Sequence, residues 1–228
     1  MIRALFLYLK IAIIVLMDNK RPHFEYEDKC STEGNRWIAG IDEVGRGPWA
    51  GPVVAAAVVL PAEFKTYNLK FEKLEDLNDS KKLSEKKRVE LDVIIREIAV
   101  GFGIGEASCR EIDEIGLQPA TFLAFSRSIE KLDKVDYLLI DGMSWKECKL
   151  PNQSIIQGDA ISMSIAAASI IAKVYRDNLM CKYHQAFPNY GFDKHKGYGT
   201  KIHTEALAKF GICELHRKSF KPIRAFTK

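Results

Sequence analysis

The sequence predicts a mixed α/β fold: one β-sheet flanked by helices. Three observations predict it. Apolar runs of strand character come first, at Trp37–Asp42 and Pro52–Leu60. Helical periodicities and further strand-like runs then alternate, and no internal repeat or low-complexity tract breaks the order. With 228 residues and 47% apolar content, the chain is long enough to bury one substantial core.

"WIAGID", Trp37–Asp42, is a short apolar strand. "GPVVAAAVVL" gives a second, Pro52–Leu60, whose unbroken apolar content predicts burial on both faces. Between them, Gly45, Gly47, Pro48, Gly51 and Pro52 forbid a helix and predict a tight loop. "AVGFGIGEAS", near Val100–Ser108, alternates glycine with larger residues, which predicts either close approach of another element or a weak edge strand. "SEKKRVELDVIIREIA" is a helix with Ser84 as N-cap and Val89, Ile94, Ile95 and Ile98 as its apolar side. "REIDEIG" is a short helix ending at Gly116, and "PATFLAFSRSIEKL" another that begins with Pro119 in its first turn. "VDYLLIDG", Val135–Gly142, is a buried strand ending on Asp141. "SIIQGDA", Ser154–Ala160, reads as a short strand or extended run. A long helix follows over Met163–His184, with Ile161, Ile165, Ala168, Ala172, Tyr175 and Leu179 at helical spacing. "TKIHTEALAKFG" is the last helix, closed by Gly211.

The N-terminal "MIRALFLYLKIAIIVLM" is apolar, but Lys10 splits it into pieces far short of the roughly 20 residues a membrane span needs. A membrane-surface anchor, a degenerate signal and an artefact of start-site choice are the three readings. The last is preferred, with residues 1–16 as translated upstream sequence and weak order expected through Asn35. The five cysteines are scattered without a C-x-x-C pair, which argues against a disulfide framework or zinc finger and fits a reducing cytoplasm. His184, His195, His203 and His216 form no ligand spacing with them and are expected at the surface or beside phosphates.

Charge is unevenly placed. Lys173–Lys228 carries twelve Lys/Arg against four Asp/Glu, a balance of +8; the net charge of +4 leaves −4 for the remainder. One part gripping phosphates and another holding metal suits a nucleic-acid enzyme, although a solvated basic tail gives the same pattern. The acids recur where strands end. Asp42 closes the first strand and Glu43 adjoins it, Asp141 closes "YLLID", and Asp159 follows "SIIQG". If these ends meet at one sheet edge, four carboxylates face one another and need cations. Oxygen ligands of this kind suit Mg²⁺ or Mn²⁺, two of which can drive phosphodiester hydrolysis. Singly, Asp141-Gly142 could be a turn and Asp159 a helix cap; the adjacent pair Asp42-Glu43 is harder to explain that way.

"GIDEVGRGPWAGPVVAAAVVL", "NDSKKLSEKKR", "YLLIDG", "QGDAISMSIAAASIIAKVYRD", "YGFDKHKGYGT" and "HRKSFKPI", in this order from about Trp37 to Ile223, resemble ribonuclease HII, the bacterial type 2 ribonuclease H. The resemblance implies a ribonuclease H-like mixed sheet with a small helical C-terminal region. It divides the chain into an N-terminal extension (1–36), a ribonuclease H-like catalytic core (37–185) and a basic C-terminal region contacting substrate (186–228). The 36 residues before Trp37 are too few for the extra folded domain of the related type HIII enzymes.

The resemblance further implies a cytoplasmic, monomeric endoribonuclease with no membrane attachment. Such an enzyme hydrolyses the RNA strand of RNA–DNA hybrids and cuts 5′ to single ribonucleotides in duplex DNA, leaving 3′-hydroxyl and 5′-phosphate ends. It implies a two-ion Mn²⁺ or Mg²⁺ site on Asp42, Glu43, Asp141 and Asp159, with Asp42 as the bridge. Gly45, Arg46 and Gly47 match a loop whose backbone approaches the ribose 2′-hydroxyl, and Tyr198 a tyrosine near the junction sugar. Asn78, Ser80 and Lys81 are expected at a phosphate, Lys173 and Arg176 from the long helix at the active-site phosphate or the nearby acids, and Arg217 and Lys218 from the C-terminal part at the DNA backbone. For Lys173, a pair with Asp177 is the alternative.

Three rivals compete. A resolvase- or transposase-like nuclease has no use for a ribose-reading loop. A non-catalytic hybrid-binding protein has no need of all four acids. A nucleotide-cofactor enzyme would need a helix after its glycine loop, which Pro48 and Pro52 spoil.

Overall fold

The computed structural model describes residues 21–61, 74, 76, 77 and 80–227. Val53–Val59 (β2) is buried at all seven positions, as its unbroken valine and alanine content requires. It pairs antiparallel with Ile38–Val44 (β1) on one side and Gly101–Ala107 (β3) on the other. Tyr137–Asp141 (β4) lies parallel to β1, and Asn152–Ile155 (β5) parallel to β4, giving the order β3-β2-β1-β4-β5. The sheet is therefore mixed, and the C-terminal ends of β1, β4 and β5 share one edge.

Eight α-helices are found among the described residues: Glu25–Thr32 (α1), Glu85–Ile98 (α2), Cys109–Ile115 (α3), Leu117–Ile129 (α4), Met163–Ala186 (α5), Phe192–His195 (α6), Lys201–Phe210 (α7) and Lys221–Arg224 (α8). Helices α2 and α5 cover one face of the sheet. There Leu91, Ile95 and Ile98 meet Ala166, Ala167, Ile170 and Ile171 over Ala56 and Val58. Helices α3 and α4 cover the other, where Ile112, Ala120, Ala124 and Phe125 meet Ala39, Ile41, Ala55 and Ala57. Each large aliphatic side chain withdrawn from water contributes ~1.5–3 kcal/mol. A third cluster, Met180, Tyr190, Phe192, Leu207, Leu215 and Ile223 around Ala50, fastens α6–α8 to the loop after β1.

The glycines of β3 are both things the sequence allowed. β3 is an edge strand, and a Cβ at Gly103 or Gly105 would run into backbone of α4. Ser84 caps α2 by accepting from Lys87 N–H, but the buried side of that helix is Leu91, Asp92, Ile95 and Ile98, while Val89 stands 46% exposed. Pro119 is the third residue of α4, whose first turn starts at Leu117. Residues 163–172 of α5 are buried without exception, because this half is sandwiched between the sheet and α2; a single apolar stripe understates it.

Two expectations are corrected outright. Ser154–Ala160 is not one extended run: β5 ends at Ile155, and Gly158–Ala160 is a turn of 3₁₀-helix. Weak order through Asn35 does not hold for α1, whose Cys30 is buried against Ile38, Leu139, Ile155 and Ile165. Its Glu27 accepts hydrogen bonds from Ser162 Oγ (2.6 Å), Ser164 N–H (2.9 Å) and Ser164 Oγ (2.6 Å), which braces the start of α5. Residues 1–16 lie outside the described residues.

Candidate active site

Strand alternation and register place the acids. Along β1, Gly40 and Asp42 face α5, and Glu43 takes the opposite face at the strand end. A Cβ at Gly40 would collide with the backbone of Ser164 and Ile165, so glycine is what lets α5 lie directly on β1. Ile41 pairs with Ile140, which sets Asp141 beside Asp42 on the neighbouring strand. Asp141 Oδ1 accepts from Gly158 N–H at 2.6 Å and so holds the 3₁₀ turn that carries Asp159. Asp159 is thus delivered by a turn rather than a strand end. It lies just ahead of α5, whose N-terminal dipole favours an anion there.

The edge is short of positive charge. Burial and then the charges of Glu43 and Asp141 push the Asp42 carboxyl well above the usual carboxylate range, with Asp159 adding to the effect; a hydrogen bond with Ser169 opposes it. Burial also raises Glu43, against the pull of Arg46, whose Nη1 lies 3.2 Å from Glu43 Oε1. Glu43 Oε2 is buried without a hydrogen-bond partner. Lys81 Nζ stands 3.9 Å from Asp159 Oδ2. Among the described residues, no three Asp, Glu, His or Cys side chains are gathered closely enough to clasp an ion by themselves. An orphaned buried carboxylate oxygen and an acid destabilised by its acidic neighbours are nevertheless what a divalent cation relieves. The donor set, all carboxylate oxygen, fits hard ions such as Mg²⁺ or Mn²⁺.

β1 runs directly into the glycine loop. Gly45 has φ +93°, and a Cβ there would meet the Arg176 side chain and Pro52 carbonyl. Gly47 is open, with only the Tyr198 ring near its would-be Cβ, at 3.7 Å. The loop is held from behind by two wholly buried arginines. Arg217 donates to the carbonyls of Gly45, Arg46 and Gly51, and Arg176 to those of Ala50, Pro52 and Lys196. Burial pulls Arg217 down only to about 10, so it stays charged at neutral pH. The backbone adds further ties: Trp49 N–H to Gly197 O (2.8 Å), Gly51 N–H to Leu215 O (2.9 Å) and Arg217 N–H to Trp49 O (2.9 Å).

Arg176 and Arg217 were expected at phosphates; both are instead internal struts, because their guanidinium groups are spent on carbonyls. Ser80 is likewise buried, against Ser169 Oγ at 3.0 Å. Lys173 takes the alternative anticipated for it and pairs with Asp177 at 2.8 Å. Lys81, Lys218 and Tyr198 are exposed, and Arg46 is partly so. Asn78 lies outside the described residues. The histidine expectation is also corrected: His195, His203 and His216 are buried together. The sequence reading missed Ser169, which touches Asp42, and Trp49, whose indole lies against Gly199. A serine one turn before Lys173 on the helix beneath the acids was a signal for the first; for Trp49 there was none beyond its place in the loop.

Comparison with known proteins places this arrangement. A family model described as Ribonuclease HII matches residues 39–223. The Ribonuclease HII of Syntrophotalea carbinolica is 50% identical over 202 residues, covering 88% of this chain and 93% of that protein. The Ribonuclease HII of Bacillus subtilis is also 50% identical over 202 residues, covering 88% and 76%. Among solved structures, the ribonuclease H2 from Pyrococcus horikoshii OT3 superposes with TM-score 0.67 at 23% identity, over 84% of this chain and 97% of that one. The RNase HII of a PCNA:RNase HII complex from Archaeoglobus fulgidus gives 0.67 at 27% identity, over 82% and 96%. Bst-RNase HIII in complex with Mn²⁺ gives 0.67 at 19%, over 82% and 68%.

Proposed function

The chain belongs to the ribonuclease HII family and is a ribonuclease H, and on that premise we propose that it both hydrolyses RNA paired with DNA and cuts 5′ to a single ribonucleotide in duplex DNA. The products carry 3′-hydroxyl and 5′-phosphate ends. One observation carries the finer part of this reading: the acid pair at the end of β1 continues without a break into a loop whose open glycine, Gly47, faces the exposed Tyr198.

Asp42, Glu43, Asp141 and Asp159 are the residues that would hold the divalent ions, Mn²⁺ or Mg²⁺. Such ions supply charge neutralisation at the scissile phosphate and favour ionisation of the attacking water. The protein's own part is placement. The rigidly braced loop offers the backbone of Gly45–Gly47 to the ribose, where a side chain at Gly47 would stand in the way. Tyr198 packs on the sugar beside it. Lys81 and Lys218 meet phosphates from the surface, a contribution that salt weakens. We read the enzyme as monomeric by family likeness and as cytoplasmic, the latter supported by its five unpaired cysteines. Among the described residues no helix is long and apolar enough to cross a membrane.

The test is a DNA duplex carrying one ribonucleotide, incubated with Mg²⁺, Mn²⁺ or chelator. Metal-dependent cutting 5′ to the ribonucleotide is expected. Cutting of long hybrids alone would remove the junction-reading role of Gly45–Gly47 and Tyr198 while leaving the metal site.

A further inference from the structure

The backbone of Tyr198 is tied at both its N–H and its carbonyl, and two of its three partners belong to histidines. Its N–H donates to His195 O at 2.9 Å. Its carbonyl accepts from Thr200 N–H (2.9 Å) and lies 2.9 Å from His203 Nδ1. His203 Nε2 lies 3.0 Å from His216 Nε2, and His216 Nδ1 lies 2.9 Å from Cys213 N.

The two ends fix the direction of this chain. The Tyr198 carbonyl can only accept, so His203 must carry its proton on Nδ1, and its Nε2 is a lone pair. The Cys213 amide can only donate, so His216 Nδ1 is a lone pair and its proton sits on Nε2. The middle contact is then His216 Nε2–H donating to His203 Nε2. The competing arrangement, a His216 Nδ1–H on Cys213 O at 3.2 Å, is excluded by both ends: it would aim that proton at the Cys213 amide and set two lone pairs against each other at Tyr198.

The rings are held flat and dry. His195 stacks on His203 at 4.5 Å and 12°, Trp49 lies 5.6 Å from His203, and Phe192 meets His203 edge-on at 5.7 Å. His203 and His216 are 0% and 1% exposed. Flat rings with polar atoms on opposite sides span the gap from Cys213 to Tyr198 without bringing water in.

We propose that His216 and His203 form a one-way hydrogen-bond relay that sets the position of Tyr198, making both positioning residues for recognition of the junction sugar. The proposal rests on the reading of Tyr198 given above. It extends the substrate-reading machinery to two side chains that no nucleic acid touches.

The test has two arms. Long-range proton–nitrogen NMR of histidine-labelled wild-type protein at neutral pH reads the tautomers directly. The proton is expected on Nε2 of His216 and Nδ1 of His203; either one reversed overturns the relay. In the second arm, His216→Asn keeps an acceptor for Cys213 N–H but removes the donor to His203. It is expected to raise KM for the single-ribonucleotide duplex about tenfold with kcat little changed, and to add less than about twofold in a Tyr198→Ala background. Additive losses, or an unchanged KM beside a weakened Tyr198→Ala, overturn the relay alone. An indifferent Tyr198→Ala in an enzyme that cuts this substrate overturns the reading of the tyrosine and the relay together. If His216→Asn does not fold, His203→Asn and His203→Ala replace it: the first retains a donor for Tyr198 O and is expected to keep the lower KM, and equal KM values overturn the proposal.

Discussion

The acid edge and the glycine loop beside it bury charge in opposite ways. In the loop, Arg176 and Arg217 are fully enclosed, yet seven hydrogen bonds onto six backbone carbonyls leave their charges well met. At the edge, burial and then the neighbouring carboxylates raise the pKa of Asp42, although Glu43 N–H donates to its Oδ1 at 2.7 Å, and an oxygen of Glu43 lacks a donor. The loop is complete as folded protein. On the function proposed above, the edge is completed by a divalent cation. Burial alone says nothing about which case applies; the partner of each buried charge does.

The largest expected effect breaks the edge. Asp42→Asn and Asp159→Asn should each lower cleavage about 10³-fold or more, the rate equivalent of several kcal/mol of ion-supplied charge stabilisation. Hybrid binding should persist. Mn²⁺ should raise Tm of the wild type and leave Tm of Asp42→Asn unmoved. Near-normal turnover by either variant in Mg²⁺ would mean that the edge does not need its ion.

Arg217→Met tests the loop's completeness. It leaves the carbonyls of Gly45, Arg46 and Gly51 short of donors, a loss of roughly 3 kcal/mol or more at 1–3 kcal/mol for each buried group. Urea denaturation measures it. An unchanged midpoint would show that these carbonyls find water and that the loop is not closed.

A smaller contrast lies within the loop. Gly45→Ala forces a side chain to φ +93° against Arg176 and should lower both stability and activity. Gly47→Ala has room, so stability should stay within ~0.5 kcal/mol of wild type while KM for the ribonucleotide duplex rises. Arg46→Ala should be milder in activity than either glycine change. Equal losses from all three would favour a side-chain role for Arg46.

The last contrast is a pH dependence. Burial holds both His203 and His216 at about 4, below their ordinary 6.5. Between those values the unfolded chain binds more protons than the folded one. Their contribution is therefore full above about pH 6.5, falls as pH drops towards 4, and falls no further below it. Asp42 has the opposite sign in chelator: its raised carboxyl makes the folded state relatively better off as pH falls. Comparing wild type with Asp42→Asn in chelator across this range separates the two contributions. If the histidine decline is absent in Asp42→Asn, the rings are not held neutral by the fold.

Four of the five strands, the long helix and the run of acids were legible because periodicity and strand-end position are local properties. The acids became specific only through six ordered blocks of resemblance. What could not be read was where long polar side chains go. Arg176 and Arg217 carry the same formal charge as an exposed Lys218, and nothing local to either says that six carbonyls await them. The buried histidines failed for the same reason: their partners come from the 190–191, 197–200 and 213 stretches, brought together only by the third cluster. Helix α1 failed because "EYEDKCST" is polar almost throughout and looks solvated until Cys30 and Glu27 are seen buried. The pair Ser162 and Ser164, two hydroxyls on a buried helix start, was the available hint that an acceptor must reach them.

The bond from Ser162 Oγ to Glu27 spans 135 residues of chain. During synthesis α1 is made early, but Ser162 and Ser164 do not exist until all five strands have been made. The bonds of Glu27 to α5 therefore require a long loop to close, whereas the contact of Cys30 with Ile38 is local. Until that loop closes, Glu27 lacks its partners from α5, and the start of α5, just beyond Asp159, lacks its brace.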